Sequence, residues 1–202
     1  MKFAIYFAGS IQKGHETNNS YWTEEDFNVL RERLSPLELV VLNPAERTDD
    51  LTDQHSVFGR DMTQVFLSDL VFVDARHRRG LGVGAEMMWA KTGGKPVLTW
   101  APLETHYHKT NTTLLGKAVP YFVHPFVENL SDQVVSSLEE GASWILKFLE
   151  GNVGSIKDLG SIKEAMQYYL RKGLPRDEPM KQLVSSCENF KGKLSQTDLV
   201  LN

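Results

Sequence analysis

Two neighbouring stretches, Leu70-Val-Phe-Val-Asp-Ala75 and Gly80-Leu-Gly-Val-Gly84, say most about the fold of this chain. The first is a short and almost continuous apolar run, which is typical of a strand covered on both faces of a sheet. The second places glycines where a loop turns into a helix, which we predict from about Gly84 to Thr92. A buried strand that leads through a short loop into a helix is the building unit of parallel α/β folds.

Other segments repeat this alternation of strand and helix. Strands are predicted at Lys2–Ala8, Leu37–Leu42 and Pro96–Trp100, with Tyr121–Val123 as a candidate fifth. Helices are predicted after a capping-box-like start at Thr23-Glu-Glu-Asp26, with a buried face of Phe27, Leu30 and Leu34, and from about His55 to Ser68. The chain is therefore expected to form an α/β fold with a parallel sheet of about five strands flanked by helices.

Beyond Asp132 the pattern is helical only. Helices are predicted at Val134–Leu149, from a capping box at Ser161 towards Leu170, and around Met180–Phe190. Three glycines between Gly151 and Gly160 are typical of a linker. We therefore expect an α/β domain at residues 1–150 and a helical C-terminal extension at residues 151–202.

Composition and charge exclude several classes of protein. The 202 residues carry 22 Lys and Arg against 26 Asp and Glu, 41% are hydrophobic, and there is one cysteine. This is ordinary globular composition, so a collagen, a disordered chain or a disulfide scaffold is not expected. Without a basic run or a long apolar stretch, neither polymeric nucleic acid nor a membrane is an expected partner. Cys187 has no second cysteine to pair with, and we expect a cytoplasmic protein.

Candidate functional residues follow the strands, because parallel sheets place their sites beyond the carboxyl ends of strands. Glu86 comes directly after the glycine-rich loop, which we expect to place it in the first turn of a helix. Acidic residues are favoured there for structural reasons, since the helix dipole stabilises them. The same dipole would keep an accessible carboxylate ionised, as a glycosyl-transferring nucleophile requires. Both interpretations stand at this point.

Asp61 is the second carboxylate of interest. The helix predicted from His55 to Ser68 has a buried stripe that should consist of Val57, Phe58, Met62, Val65 and Phe66. Asp61 lies four residues from both Val57 and Val65, so it should lean towards this apolar side. A carboxylate there must be paired, hydrogen-bonded or raised in pKa, and a structural partner or a proton-donating role would satisfy this condition.

Other polar residues give weaker indications. His106 and His108 lack a third ligand with suitable spacing, so a zinc site is not expected. The run from Arg76 to Arg79 could hold a phosphate, although such runs are more often solvated loops. Asp69 is expected to mark a turn between helix and strand. No GxSxG elbow is present, which argues against serine hydrolase chemistry.

Together these residues resemble a known family. Tyr6-Phe-Ala-Gly-Ser-Ile11, Gly59-Arg-Asp61 with Asp69 eight positions on, and Gly80-Leu-Gly-Val-Gly-Ala-Glu86 are similar to motifs of the nucleoside 2-deoxyribosyltransferase superfamily. The nearest resemblance is to its 2′-deoxynucleoside 5′-monophosphate N-glycosidase branch. It covers about residues 2 to 125 and implies a flavodoxin-like or Rossmann-like fold, homodimers or larger assemblies, and no cofactor.

The resemblance also implies roles for individual residues. Glu86 would attack C1′ of the sugar, and Asp61 would assist proton transfer to and from the base. The residues implied to contact the nucleoside or nucleotide are Tyr6, Gly9, Ser10, Ile11, Gln12, Gly80, Gly82 and Gly84. A neighbouring subunit would close the site through Asn111 and Thr112.

Two positions depart from the monophosphate branch. The chain has Gln12 where that branch has Arg, and Gly80 where it has Ser, and both family residues serve phosphate binding. Either Lys13, Arg76 or Arg79 replaces them, or the substrate is an unphosphorylated nucleoside. We therefore expect cleavage of an N-glycosidic bond by hydrolysis or by transfer to another base. The alternative is a non-catalytic nucleotide-binding or signalling module, and a flavodoxin-like redox protein ranks last.

Overall fold

A computed structural model of the chain describes residues 1–11 and 21–196. The strands are β1 (Lys2–Ala8), β2 (Glu38–Leu42), β3 (Leu70–Asp74), β4 (Val97–Trp100), β5 (His108–Leu114), β6 (Lys117–Val123) and β7 (Gln133–Val135). The α-helices are α1 (Glu24–Leu34), α2 (Gln54–Leu67), α3 (Leu81–Thr92), α4 (Pro125–Leu130), α5 (Leu138–Leu149), α6 (Leu159–Tyr168), α7 (Glu178–Ser186) and α8 (Glu188–Gln196). A π-helical turn at Tyr169–Gly173 and a 3₁₀ turn at Leu174–Arg176 follow α6.

The central sheet has the strand order β2-β1-β3-β4-β7, and all of its strand pairs are parallel. This arrangement confirms the expected α/β fold with five parallel strands. The chain leaves β1 for β2 on one side and then returns to β3 on the other side. Such a reversal opens a crevice beyond the carboxyl ends of the two adjacent strands, which here are β1 and β3.

The prediction for the fifth strand was wrong. Residues Tyr121–Val123 belong to β6, which pairs antiparallel with β5 in a separate two-stranded hairpin. The fifth strand of the sheet is β7, which lies where the helix Val134–Leu149 was expected to begin. Three residues beside polar Asp132 form too short a run to show in the sequence, and pairing with β4 decides their conformation. Helix α5 starts afterwards, with Ser137 as its N-cap.

Aromatic packing fixes the chain just after β1. Phe7 contacts both Trp22 and Phe27 with ring centroids 4.8 Å apart, and Trp22 donates a hydrogen bond of 3.0 Å to the Ala8 carbonyl. A Cβ atom on Gly9 would come within 3.2 Å of the Trp22 ring. Glycine is therefore favoured where the chain leaves the sheet towards the crevice.

Helix ends agree with the capping chemistry in part. The predicted capping box of α1 is present, since the side chains of Thr23 and Asp26 each accept a hydrogen bond from the other's backbone N–H. The box at the start of α6 is formed by Asp158 and Ser161, whereas the sequence indicated Ser161 as its first member. The helix expected around Met180–Phe190 is divided at Cys187, which has extended backbone angles, into α7 and α8.

Helix α2 buries less of its apolar stripe than expected. It packs against β1 and α3, and this contact fully covers Val65. Phe58 and Phe66 remain 61% and 65% exposed, so this packing leaves both rings largely uncovered. The expectation that both rings lie in the core of the chain was therefore wrong.

The chain divides into two compact units, Met1–Lys157 and Asp158–Asn202. Lys157 belongs to the first unit because its backbone N–H and its ammonium bind Asp132 and the carbonyls of Glu128 and Ser131. The second unit contains α6, α7 and α8, and none of its described side chains is buried. We keep a two-domain organisation as a proposal, with its boundary at Lys157. Within the described residues, no helix is both long and apolar enough to cross a membrane.

Candidate functional site

The side chains of Tyr6 and Glu86 meet between β1 and α3. Tyr6 comes from β1 and Glu86 from α3, and the phenol O–H donates a buried hydrogen bond of 2.8 Å to Oε1 of Glu86. The other carboxyl oxygen, Oε2, is buried and accepts no hydrogen bond from the described residues. Buried carboxyl oxygens are normally hydrogen-bonded, so an orphaned one is a candidate for contact with a ligand.

Burial controls the charge of Glu86. The side chain is 8% exposed, and this burial, together with the nearby charge of Asp61, raises its pKa to about 7 against the opposing hydrogen bond from Tyr6. The expected stabilisation by the helix dipole does not apply, because α3 begins at Leu81 and places Glu86 in the second turn. Glu86 therefore exchanges its proton near neutral pH and can act as a nucleophile or in proton transfer.

Asp61 faces the same group of side chains from α2. Its side chain is 17% exposed, so it leans inwards as the sequence predicted. Burial raises the pKa of Asp61, whereas the guanidinium groups of Arg47 and Arg60 oppose this shift. The indole N–H of Trp89 on α3 donates 3.1 Å to the Met62 carbonyl of α2, which holds the two helices together.

Arg47 and Arg60 escaped the sequence analysis. Arg47 lies in the loop after β2, and its Nη1 atom is 3.3 Å from Oδ1 of Asp61, while Nη1 of Arg60 is 3.5 Å from the same oxygen. Asp49 binds Arg47 through two oxygens at 2.8 and 2.6 Å. The rule that sites follow parallel strands could have found this loop, but it was applied to the segments after the first, third and fourth strands.

A second polar network surrounds Asp74 at the end of β3. Asp74 is fully buried and lies 3.0 Å from Arg76 and 2.6 Å from Arg79. Arg76 also stacks 3.8 Å above the Trp100 ring, and Arg79 donates 2.7 Å to the Ser10 hydroxyl. A phosphate that used either arginine would compete with the Asp74 carboxylate.

The glycine-rich loop and the end of β1 border open space. Gly80 is the N-cap of α3, and a Cβ atom on Gly80, Gly82 or Gly84 would meet no atom within 4 Å. Packing within the described chain therefore does not require glycine at these positions. A cavity of about 100 Å³ lies nearby, lined by Phe7, Gly9, Ser10, Ile11, Tyr21, Trp22, Asn43, Pro44 and Ala45.

Some of the sequence candidates are not brought to this group. Asn111 and Thr112 lie on β5 of the hairpin, and no hydrogen bond among residues 1–11 and 21–196 joins either side chain to Tyr6, Asp61 or Glu86. Gln12 and Lys13 lie outside the described residues. Asp69 accepts a hydrogen bond of 2.7 Å from the backbone of Ala4, which is a structural contact between β3 and β1. In the described ranges, no cluster of His, Cys, Asp and Glu could hold a metal ion.

Comparison with known proteins shows similarity at the level of the fold. No family model and no curated protein sequence matches the chain. Among solved structures, the chain is similar to a 2-desoxiribosyltransferase from Leishmania mexicana, with a TM-score of 0.51 and 18% sequence identity. The similarity covers 72% of this chain and 97% of the other. The two chains therefore share the α/β fold, and the Leishmania mexicana protein is named for deoxyribosyl transfer.

Proposed function

We propose that this protein cleaves the N-glycosidic bond of a nucleoside, a deoxynucleoside or a 5′-monophosphate of either. The observation that carries the proposal is the buried Glu86 carboxyl group, which is held by Tyr6 at Oε1 and has no described partner at Oε2. A carboxylate oxygen presented in this way can attack the anomeric carbon of a sugar. The fold shared with a deoxyribosyltransferase supports the same substrate class.

The proposed reaction proceeds in two displacements at C1′. Oε2 of ionised Glu86 forms a bond to C1′ as the bond from C1′ to the base nitrogen breaks, and the base leaves with the electron pair. The leaving base takes its proton from water, and ionised Asp61 assists this transfer by accepting a hydrogen bond from that water. Water or a second base then attacks C1′ and releases Glu86. Two inversions give retention of configuration, whether the acceptor is water or a base.

Tyr6 supports this reaction through its hydrogen bond. Burial and the neighbouring Glu86 carboxylate raise the pKa of Tyr6, so the phenol stays protonated and its O–H donates a hydrogen bond to Oε1. That bond orients the carboxyl group and leaves Oε2 as the attacking oxygen. The open space beside Gly82 and Gly84 would accommodate the sugar.

A panel of substrates tests this proposal. Purified protein is incubated with ribo- and deoxyribonucleosides and their 5′-monophosphates, with and without a second free base, and products are separated by chromatography. We expect free base in water or a new nucleoside in the presence of the acceptor base. Release from the 5′-monophosphates alone would mean that phosphate is required despite the contacts of Asp74 with both arginines. Ligand binding without any product would instead support the non-catalytic module.

We also propose that the chain forms a homodimer or larger assembly through α2. Phe58, Phe66 and Leu67 on this helix are each more than 60% exposed, which is unusual for large apolar side chains on one helix. Sedimentation velocity should show a dimer, and Phe66→Glu should shift it towards the monomer because it places a charge in the apolar contact. A monomeric wild-type protein at micromolar concentration would contradict this assignment.

A further inference from the structure

The inference concerns Arg47, an arginine in the loop between β2 and α2. Its side chain is only 7% exposed, although arginine is rarely buried unless it is paired. Two of its nitrogen atoms bind both oxygens of Asp49 at 2.8 and 2.6 Å, which fixes the plane of the guanidinium group. The remaining nitrogen, Nη1, faces Oδ1 of Asp61 at 3.3 Å.

Asp61 is surrounded by charged and titratable groups from several elements. Arg47 and Asp49 approach from the loop after β2, and Arg60 lies beside it on α2. Tyr6 of β1 and Glu86 of α3 are within electrostatic range. Two guanidinium groups therefore balance the carboxylates of Asp49 and Asp61. The arrangement is an ion network, and the charge of Asp61 in it acts on the candidate nucleophile Glu86.

Arg47 differs from Arg60 in what else it binds. Arg60 also donates to the carbonyls of Glu46 and Pro44 and to the side chain of Gln64, so its guanidinium group is shared among several acceptors. Arg47 divides its bonds between two carboxylates. Arg47 binds Asp49 and Asp61 through different nitrogen atoms. Because Asp49 fixes the guanidinium group, that group can hold the Asp61 carboxylate in one orientation.

We propose that Arg47 is a positioning residue, which orients Asp61 and keeps it charged beside Glu86. The proposal rests on the function proposed for Glu86 and Asp61, and it adds a residue that acts through Asp61. The electrostatics agree with this role. Burial holds the pKa of Asp61 above its usual value, and the nearby charge of Arg47 is the largest of the influences that oppose this rise.

Two substitutions that change the charge near Asp61 in opposite directions distinguish this role from a merely structural one. Arg47→Met removes a positive charge beside Asp61, so the pKa of Asp61 should rise further. The negative charge of Asp49 raises the pKa of Asp61, so the variant Asp49→Asn should lower that pKa. Carboxyl titration by NMR of the whole chain measures both shifts, with the Asp61 signal identified by its loss in Asp61→Asn. Arg31→Met, which breaks the exposed pair with Glu24, should cause no shift.

Kinetics provide a second readout. Loss of the Arg47 charge raises the pKa of Asp61, so Asp61 and Glu86 are both ionised only at a higher pH. The acidic limb of the pH profile of kcat/KM should therefore move to higher pH in Arg47→Met and to lower pH in Asp49→Asn. In Arg47→Lys, which keeps the charge, it should lie at the wild-type position. In the Asp61→Asn background, Arg47→Met should cause no further decrease in kcat/KM, because Arg47 acts through Asp61.

The outcomes distinguish this proposal from the proposed function. Absence of turnover with all substrates would overturn the function, while the NMR titration would still decide the role of Arg47. An unmoved Asp61 titration in folded Arg47→Met, or shifts of the same sign in Arg47→Met and Asp49→Asn, would overturn the positioning role. If Arg47→Met does not fold, Asp49→Asn decides the question, because a pKa of Asp61 that does not fall in this variant would overturn the positioning role.

Discussion

Replacement of Glu86 by Gln should abolish turnover while leaving the fold intact. Gln has the same shape and can still accept the hydrogen bond that Tyr6 donates to Oε1. It lacks the negative charge needed to form a bond with C1′, so kcat should fall by at least about 10³-fold. Single-turnover base release with the best substrate of the panel measures this effect. Glu104→Gln is a matched control at an exposed carboxylate, and it should retain wild-type activity.

The same variant should change how stability depends on pH. The folded-state pKa of Glu86 is raised from 4.5 to about 7, so its protonated form contributes stability that is complete below about pH 4.5. This contribution is lost as the pH rises through 7, and it amounts to about 3 kcal/mol at most. Glu86→Gln keeps the neutral form at every pH. Its advantage over wild type in urea unfolding should therefore grow between pH 4.5 and pH 8.

Either of two results would contradict the assignment of Glu86. Activity near the wild-type level in Glu86→Gln would exclude it as the nucleophile. A difference in the free energy of unfolding between Glu86→Gln and wild type that stays constant from pH 4.5 to pH 8 would mean that burial does not raise the pKa of Glu86. The two readouts are independent, because unfolding in urea requires no substrate.

The second large effect is expected at Asp74. This fully buried carboxylate binds three nitrogen atoms of Arg76 at 3.0 Å and one nitrogen of Arg79 at 2.6 Å. Asp74→Asn removes its negative charge, while both guanidinium groups keep theirs. Breaking a buried ion pair from one side costs about 3 kcal/mol or more, and this is the expected loss in the free energy of unfolding.

A surface ion pair provides the control for Asp74. Glu24 and Arg31 lie 2.5 Å apart, with side chains 64% and 42% exposed, so Glu24→Gln should cost less than about 1 kcal/mol. Equilibrium urea unfolding at constant pH compares the two variants. If Asp74→Asn lost no more stability than Glu24→Gln, the network beyond β3 would have no stabilising role. A loss of nucleoside affinity in the same variant would indicate that Arg79 positions Ser10 at the site.

The parts of the fold that were predictable are those that local sequence determines. β1, β3 and β4 are apolar runs because both faces of the sheet are covered, and such runs can be recognised without a structure. β7 has three residues of mixed polarity, and its conformation depends on pairing with β4, which no local pattern encodes. The apolar stripe of α2 was recognised as a pattern, but the sequence does not show whether a side chain such as Phe58 meets the core or another surface.

The candidate site divides in the same way. Glu86 and Asp61 could be singled out because each is an acidic residue in a conspicuous setting, beside glycines or within an apolar stripe. The raised pKa of Glu86 could not be predicted, because it arises from burial among elements that are distant in sequence. Arg47 lies 14 positions from Asp61 in a polar loop, and its importance is visible only from the distance between them.

The hairpin of β5 and β6 has a consequence for how such a protein can diverge. It is inserted between β4 and β7, and its two ends lie side by side because His108 pairs with Val123. Lengthening or shortening a connection of this kind changes the entropy of closing it only slowly, by roughly 0.6 kcal/mol per doubling. The hairpin can therefore accumulate insertions and new surface residues while Tyr6 and Glu86, on other elements, stay unchanged. Selectivity for ligands and chemistry at the carboxyl group can evolve on separate segments of one chain.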